Sequence, residues 1–183
     1  LVKDKDYFVI TTNVDGQFMK TGFAPERFFE VQGNYGEWQC SVPCRQKVFD
    51  NEGAVMEMLK EIKDLKIPTD LIPYCPHCGA TMIMHLRVDQ AFVQDETWEA
   101  SYEDYLGFFE GMEDQKVVFL ELGVGYNTPT IIRYPFEKMT AVFPKAHLIR
   151  LNRDDLEGFA ATKEKTISIN DDMGEVLQQW LAD

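Results

Sequence analysis

The chain has 183 residues, 45% of them hydrophobic, enough to bury a sizeable core in one domain, alone or with a small inserted module. Its 31 acidic and 18 basic residues leave a formal charge of −13, and a surface of that sign repels phosphate backbones, so no nucleic-acid partner is expected. No apolar run reaches transmembrane length and no basic amphipathic segment is visible, so no membrane partner is expected either.

The chain opens on Leu1 and enters a β-prone run, Tyr7 to Ile10, almost at once, which reads as a processed protein or a fragment. Thr11-Thr12-Asn13-Val14-Asp15-Gly16 then turns a strand end into a loop, and Phe28 to Val31 is a second short strand stopped by Gly33. Between two cysteine pairs, Ala54, Met58, Leu59, Ile62 and Leu65 fit helical spacing, with Pro68 ending that helix. A second helix is expected over Glu96–Met112, with Trp98, Tyr102, Tyr105 and Phe109 on one face, read as core. Val117-Val118-Phe119-Leu120 leads into Gly123-Val124-Gly125 as a strand buried on both faces does, and such strands belong to parallel sheets. A helix over Pro135–Phe143, a strand over His147–Leu151 ending at Asn152, a strand over Thr166–Ile169 and a final helix capped by Asp171 or Asp172 complete the order. Strand and helix alternate in this half, which predicts an α/β fold: a Rossmann-like, doubly wound parallel sheet with a zinc module inserted in it. The expected division is residues 1–37 and 97–183 for the nucleotide-binding part and 38–96 for the module.

All four cysteines fall in two short pairs, Cys40-x3-Cys44 and Cys75-Pro-His-Cys78. Two tight turns with two thiolates each can converge on a tetrahedral Zn²⁺, and four thiolates leave no open position, so the metal is read as structural. Two disulfides are the alternative, but nothing else suggests a secreted, disulfide-stapled scaffold. His77, His85 and His147 share no metal-ligand spacing; His77 reads as a solvent-facing turn residue and His147 as structural. From the residues alone, no reaction follows.

Several motifs in order then resemble the sirtuin family. Thr11-Thr12-Asn13-Val14-Asp15-Gly16 is similar to the sirtuin signature Thr-x-Asn-x-Asp-Gly, and Phe29-Glu30-Val31-Gln32-Gly33 stands where sirtuins carry an apolar stretch ending in His-Gly. The cysteine pairs follow; then Gly123-Val124-Gly125 where the family has Gly-Thr-Ser, Leu148–Asn152 as the strand ending in Asn, and Ile169–Met173 as the adenine-side loop.

The resemblance implies NAD as co-substrate and structural Zn²⁺. Asn13, Asp15 and Gln32 are the implied catalytic residues, with Thr11 beside them on the cofactor. Asn13 would bond the nicotinamide ribose or a water beside it, and Asp15 would orient that network or stabilise positive charge at C1′. Gly123, Val124, Gly125 and Asn127 would meet the adenosine ribose and phosphate, Asn152 the adenosine ribose, and Asp172 and Met173 the adenine. Self-capping turn residues are the plainer account of Asn13 and Asp15, and an end-of-strand cap that of Asn152.

Two departures matter. The Gly-Ala-Gly phosphate loop and Asp-Phe-Arg loop, which sirtuins place upstream of Asn13, are not in these 183 residues, so the first nucleotide-binding βα unit is expected to be missing from this chain, which alone would then be inactive. The family's catalytic His is Gln32, an amide that can orient a ribose but cannot take its proton. That combination resembles the macrodomain-linked branch of microbial sirtuins. It implies a protein ADP-ribosyltransferase, cytoplasmic, with a lipoyl-carrier protein as substrate and a macrodomain partner. The alternatives are an NAD-dependent deacylase with an altered base and a non-catalytic NAD or zinc-ribbon interaction protein.

Overall fold

The structure is a computed structural model. It divides into two compact units, Val9–Tyr105 and Leu1–Phe8 with Leu106–Asp183. Residues 1–182 are described; Asp183, the last residue of the expected nucleotide-binding span, lies outside the described residues.

In the Val9–Tyr105 unit, β1 (Val9–Thr11) pairs in parallel with β2 (Phe28–Glu30), Thr11 standing opposite Glu30. The first strand begins two residues later than its apolar run suggests. An antiparallel sheet follows in the order β4-β3-β5, from β3 (Gly33–Cys40), β4 (Val48–Asp50) and β5 (Met82–Leu86). Local propensity hides β3, whose Gly-Asn-Tyr-Gly-Glu-Trp-Gln-Cys run holds no β-branched residue; cross-strand pairing makes it a strand. Its buried polar groups are satisfied at long range. Gln39 donates to the Ala91 carbonyl at 2.7 Å and accepts from the Val93 N–H at 2.9 Å.

The helix between the cysteine pairs, α1 (Glu52–Glu61), is shorter than expected. Ile62 and Leu65 fit its period but lie beyond it, because Lys63 and Lys66 exchange both backbone hydrogen bonds at 2.9 Å around a two-residue turn. Asp64 and Leu65 sit there at φ 50° and 61°, a left-handed pair incompatible with a helix. The next helix, α2 (Glu96–Phe109), starts on Asp95, whose carboxylate accepts from the Trp98 N–H at 3.1 Å. Phe29 meets Trp98, Tyr102 and Tyr105 with ring centroids 5.1, 6.0 and 6.1 Å away, and burial pushes the Tyr105 hydroxyl up to about 12. Phe109, expected on the same face, belongs to the second unit and stacks there with Phe119, ring centroids 6.4 Å apart.

That unit is α/β. β6 (Val117–Leu122), β7 (Ala146–Leu151) and β8 (Thr166–Ile169) form a parallel sheet in that order, with α3 (Arg133–Val142) between the first two and α4 (Met173–Ala182) after the last. Pro135 falls in the first turn of α3, where its missing N–H leaves no helical bond unmade. Lys165 donates to the Thr140 and Phe143 carbonyls at 3.0 and 2.8 Å, placing a cation at the negative end of α3. Phe119, Phe136, Ala146, Leu148 and Leu151 form the core. Contrary to the reading of β6 as buried on both faces, Val118 is 61% exposed, because side chains alternate along β6 and α3 packs on the opposite face, where Phe119 meets Phe136 with ring centroids 4.8 Å apart.

The same core holds four charged residues, Arg133, Arg150, Glu121 and Glu137, the last three of them in one cluster. Arg150 donates to Glu121 at 2.6 and 3.2 Å and to Glu137 at 2.6 Å, all three side chains being at most 1% exposed. Burial opposes the charge on Arg150, but its bonds to Glu121 and then Glu137 outweigh it and hold the guanidinium charged. Gly158 lets the chain pass over this cluster: a Cβ there would stand 2.5 Å from the Arg150 guanidinium.

Candidate functional site

The four cysteine sulfurs lie within 4.8 Å of one another, with Cys40–Cys78 at 3.5 Å and Cys44–Cys75 at 3.6 Å. These separations exclude disulfides, whose sulfurs stand about 2.05 Å apart. The two short separations fall close to the roughly 3.8 Å edge of a tetrahedron with Zn–S bonds of about 2.3 Å. The backbone N–H groups of Cys78 and then His77 point at the Cys75 sulfur and lower its pKa to about 6, whereas burial and then the neighbouring thiols push Cys44 up to about 12. Four sulfurs converging at these distances are what a dication holds together as thiolates, so the donor set fits structural zinc. His77 is exposed beside it, as expected.

In the same unit, parallel pairing carries the Asn13 and Gln32 segments side by side. The Val31 N–H donates to the Thr11 carbonyl at 3.2 Å and the Tyr35 N–H to the Val14 carbonyl at 2.9 Å, stitching the Thr12–Asp15 loop to the Gln32 turn. The Thr11 hydroxyl accepts from the Asn13 N–H at 3.1 Å and the Asp15 carboxylate from the Gln17 N–H at 3.1 Å, so both residues carry local turn bonds. The Asn13 side chain is exposed and Gln32 is half-buried. Gln32 is placed by its carbonyl, which accepts from the Arg87 N–H at 3.0 Å, and by Gly33 at φ 76°. A Cβ on Gly33 would lie 2.0 Å from the His85 carbonyl oxygen, so only glycine fits.

Beside this turn is a cleft of about 220 Å³, walled by Phe28, Phe29 and Trp98 and carrying Glu30, Glu37 and His85. Burial raises the pKa of Glu30; the Asn34 bond (3.0 Å) opposes this, and the charges of Glu37 and Asp15 add to it. His85 is buried, donates Nε2–H to the Val93 carbonyl at 2.8 Å and pairs through Nδ1 with Glu37 at 3.0 Å. Sequence offered no signal for this pair, whose members lie 48 residues apart.

In the other unit, the expected adenosine-side residues gather at the carboxyl ends of β6, β7 and β8, where open α/β sheets bind ligands. Gly123, at φ 65°, lies under Met173: a Cβ there would be 3.2 Å from the Met173 methyl carbon. Asn152 donates to the Val124 carbonyl at 3.1 Å and accepts from the Asp154 and Asp155 N–H groups at 2.9 and 3.1 Å, so its amide builds the loop as well as facing it. Asp172 caps α4 through the Gly174 and Glu175 N–H groups at 2.8 and 3.2 Å and pairs with Arg153 at 2.6 Å. Asn127 is exposed in the same loop as Gly125. Asp155, which sequence reasoning passed over, lays its carboxylate against Gly125, 2.8 Å from where a Cβ would stand.

The chain is 32% identical over 178 residues, 97% of its length, to a protein ADP-ribosyltransferase of Staphylococcus aureus, of which it covers 56%. A Sir2 homologue solved as a mutant with ADP-ribose superposes with a TM-score of 0.52 at 14% identity, over 96% of this chain and 58% of that one. The chain has a Sir2-like fold, and its sequence is similar to that of a protein ADP-ribosyltransferase. A probable bifunctional ADP-ribose hydrolase/ADP-ribosyltransferase of Fusarium oxysporum f. sp. cubense is 34% identical over 146 residues, 74% of this chain and 24% of that protein. No family model matches. The chain thus spans about half, or less, of the curated relatives it matches. No helix among its described residues is long and apolar enough to cross a membrane.

Proposed function

We propose that the complete protein is an NAD-dependent protein ADP-ribosyltransferase of the sirtuin type that modifies a lipoyl-carrier protein. The observation that carries this reading is the turn at Gln32. Where the resembled family has a titrating His, this chain holds an amide beside Asn13 and Asp15. Deacylation needs a base on the ribose; transfer to a protein nucleophile does not, since nicotinamide is a good leaving group and the incoming side chain supplies the attack. The names of the relatives support the same class.

Asn13 and Gln32 clamp the nicotinamide ribose, with Thr11 behind them, and Asp15 faces the positive charge that develops at C1′. Gly123, Val124, Gly125 and Asn127 receive the adenosine ribose and phosphate, Asn152 uses its second N–H on the ribose, and Asp172 and Met173 line the adenine. Residues 1–37 and 97–183 supply this cofactor-binding part and 38–96 the zinc module. The setting is cytoplasmic, with a macrodomain protein as partner.

The test is incubation of full-length protein with labelled NAD, a lipoylated carrier protein and an acyl-lysine peptide. Label on the carrier is the expected result. Acyl-ADP-ribose with no labelled protein would replace this reading with the deacylase, and absence of NAD binding would leave a non-catalytic interaction protein.

A further inference from the structure

Arg133, the first residue of α3, is fully buried, and no motif points to it. A buried guanidinium is normally answered by a carboxylate. In this core Glu121 and Glu137 are both bonded to Arg150, and Arg133 spends its hydrogen bonds on backbone carbonyls. It donates Nη1–H to Val124 at 2.8 Å and Nη2–H to Asp155 at 3.1 Å and to Glu157. The Tyr126 ring lies over the cation, 4.1 Å from its centre, and Nε has no partner among the described residues. One side chain therefore joins two loops distant in sequence, residues 123–127 and 153–158.

The Val124 carbonyl is held twice, by Arg133 and by the Asn152 amide, which fixes the Val124–Gly125 peptide plane. In a trans peptide the N–H points opposite to the C=O. With the carbonyl drawn inward to two donors, the Gly125 N–H faces away from the buried guanidinium, and the Asp155 carboxylate lies against the same residue.

We propose that Arg133 is a positioning residue for the dinucleotide: by tying both loops together it aims the Gly125 N–H and the Asp155 carboxylate at the phosphate and ribose of the adenosine end. This rests on the NAD reading above.

The test uses full-length protein, ADP-ribose as the binding probe, and three variants: Arg133→Met, Arg133→Lys and, as a control, Lys165→Met, which loses two carbonyl bonds at the far end of α3. Arg133→Met is expected to weaken ADP-ribose binding about 10–100-fold, the loss of charge-assisted bonds, with Arg133→Lys in between. KM for NAD should rise by a similar factor with kcat nearly unchanged. Amide exchange should quicken in residues 123–127 and 153–158 together while the β6–β8 sheet stays protected. Lys165→Met should lower Tm and leave ADP-ribose affinity unaltered. If Arg133→Met does not fold, the lysine variant decides by the same readouts. Wild-type binding with unchanged affinity in the Arg133 variants overturns this proposal alone, as does an affinity loss in Lys165→Met equal to theirs. Absence of ADP-ribose binding by wild-type protein overturns the functional reading and this proposal together.

Discussion

Gln32 and Glu30 are two residues apart and behave oppositely toward protons. Gln32 has none to exchange, so Gln32→Ala in the full-length enzyme removes an orienting contact and should cost about 10–100-fold in kcat/KM. Its rate profile should lack an ionisation near pH 6.5 assignable to this position. A profile that loses such an ionisation in Gln32→Ala would show that the turn positions a base elsewhere. Glu30 is held above the ordinary carboxylate range by burial, so its charged form is less favoured in the folded chain than in the unfolded one. At neutral pH that charge costs stability, and the cost fades as pH falls through the raised pKa toward the unfolded value. Glu30→Gln should therefore raise Tm near pH 7.5, with the gain shrinking toward about pH 4.5. A gain that grows on acidification would contradict the assignment.

At the scale of elements, the zinc turns and the Lys63–Lys66 hairpin are separable. Cys75→Ser removes the sulfur that two backbone N–H groups favour as thiolate; wild-type protein should carry roughly one zinc per chain by metal analysis, and the variant should lose it and show a lower Tm. Full zinc retention in that variant would exclude Cys75 as a ligand. Leu65 is 94% exposed at φ 61°, so its side chain contributes no burial while its backbone bears left-handed strain. Leu65→Gly should stabilise the protein by about 0.5–1 kcal/mol, read as a higher denaturation midpoint at constant m. A lower midpoint would mean that Leu65 packs on something in solution.

For the molecule as a whole, the formal charge of −13 is a source of self-repulsion that salt screens, while the Arg150 cluster is buried beyond its reach. Raising NaCl from about 10 to about 150 mM should increase the Tm, since the Debye length shortens from about 30 to about 8 Å. A falling Tm would show that attractive surface pairs outweigh the repulsion.

The α/β alternation of the second half, the four convergent cysteines and the order of the motifs were determined by the sequence itself, because periodicity, turn chemistry and thiolate spacing are local properties. Tertiary structure decided the rest. β3 is a strand because β4 and β5 flank it, and α1 ends early because a two-residue turn competes with its apolar period. Val118 stands exposed because α3 packs on the other face of the sheet, which a continuous apolar run does not reveal. The Asn13–Asp15 and Gln32 segments were legible as motifs, but their contact depends on parallel pairing across 17 intervening residues' worth of chain between Val14 and Gln32. The His85–Glu37 pair, Asp155 against Gly125 and the Arg133 bonds left no trace in sequence. Each joins residues whose chemistry is ordinary alone and acquires a role only through burial and the partners that burial supplies.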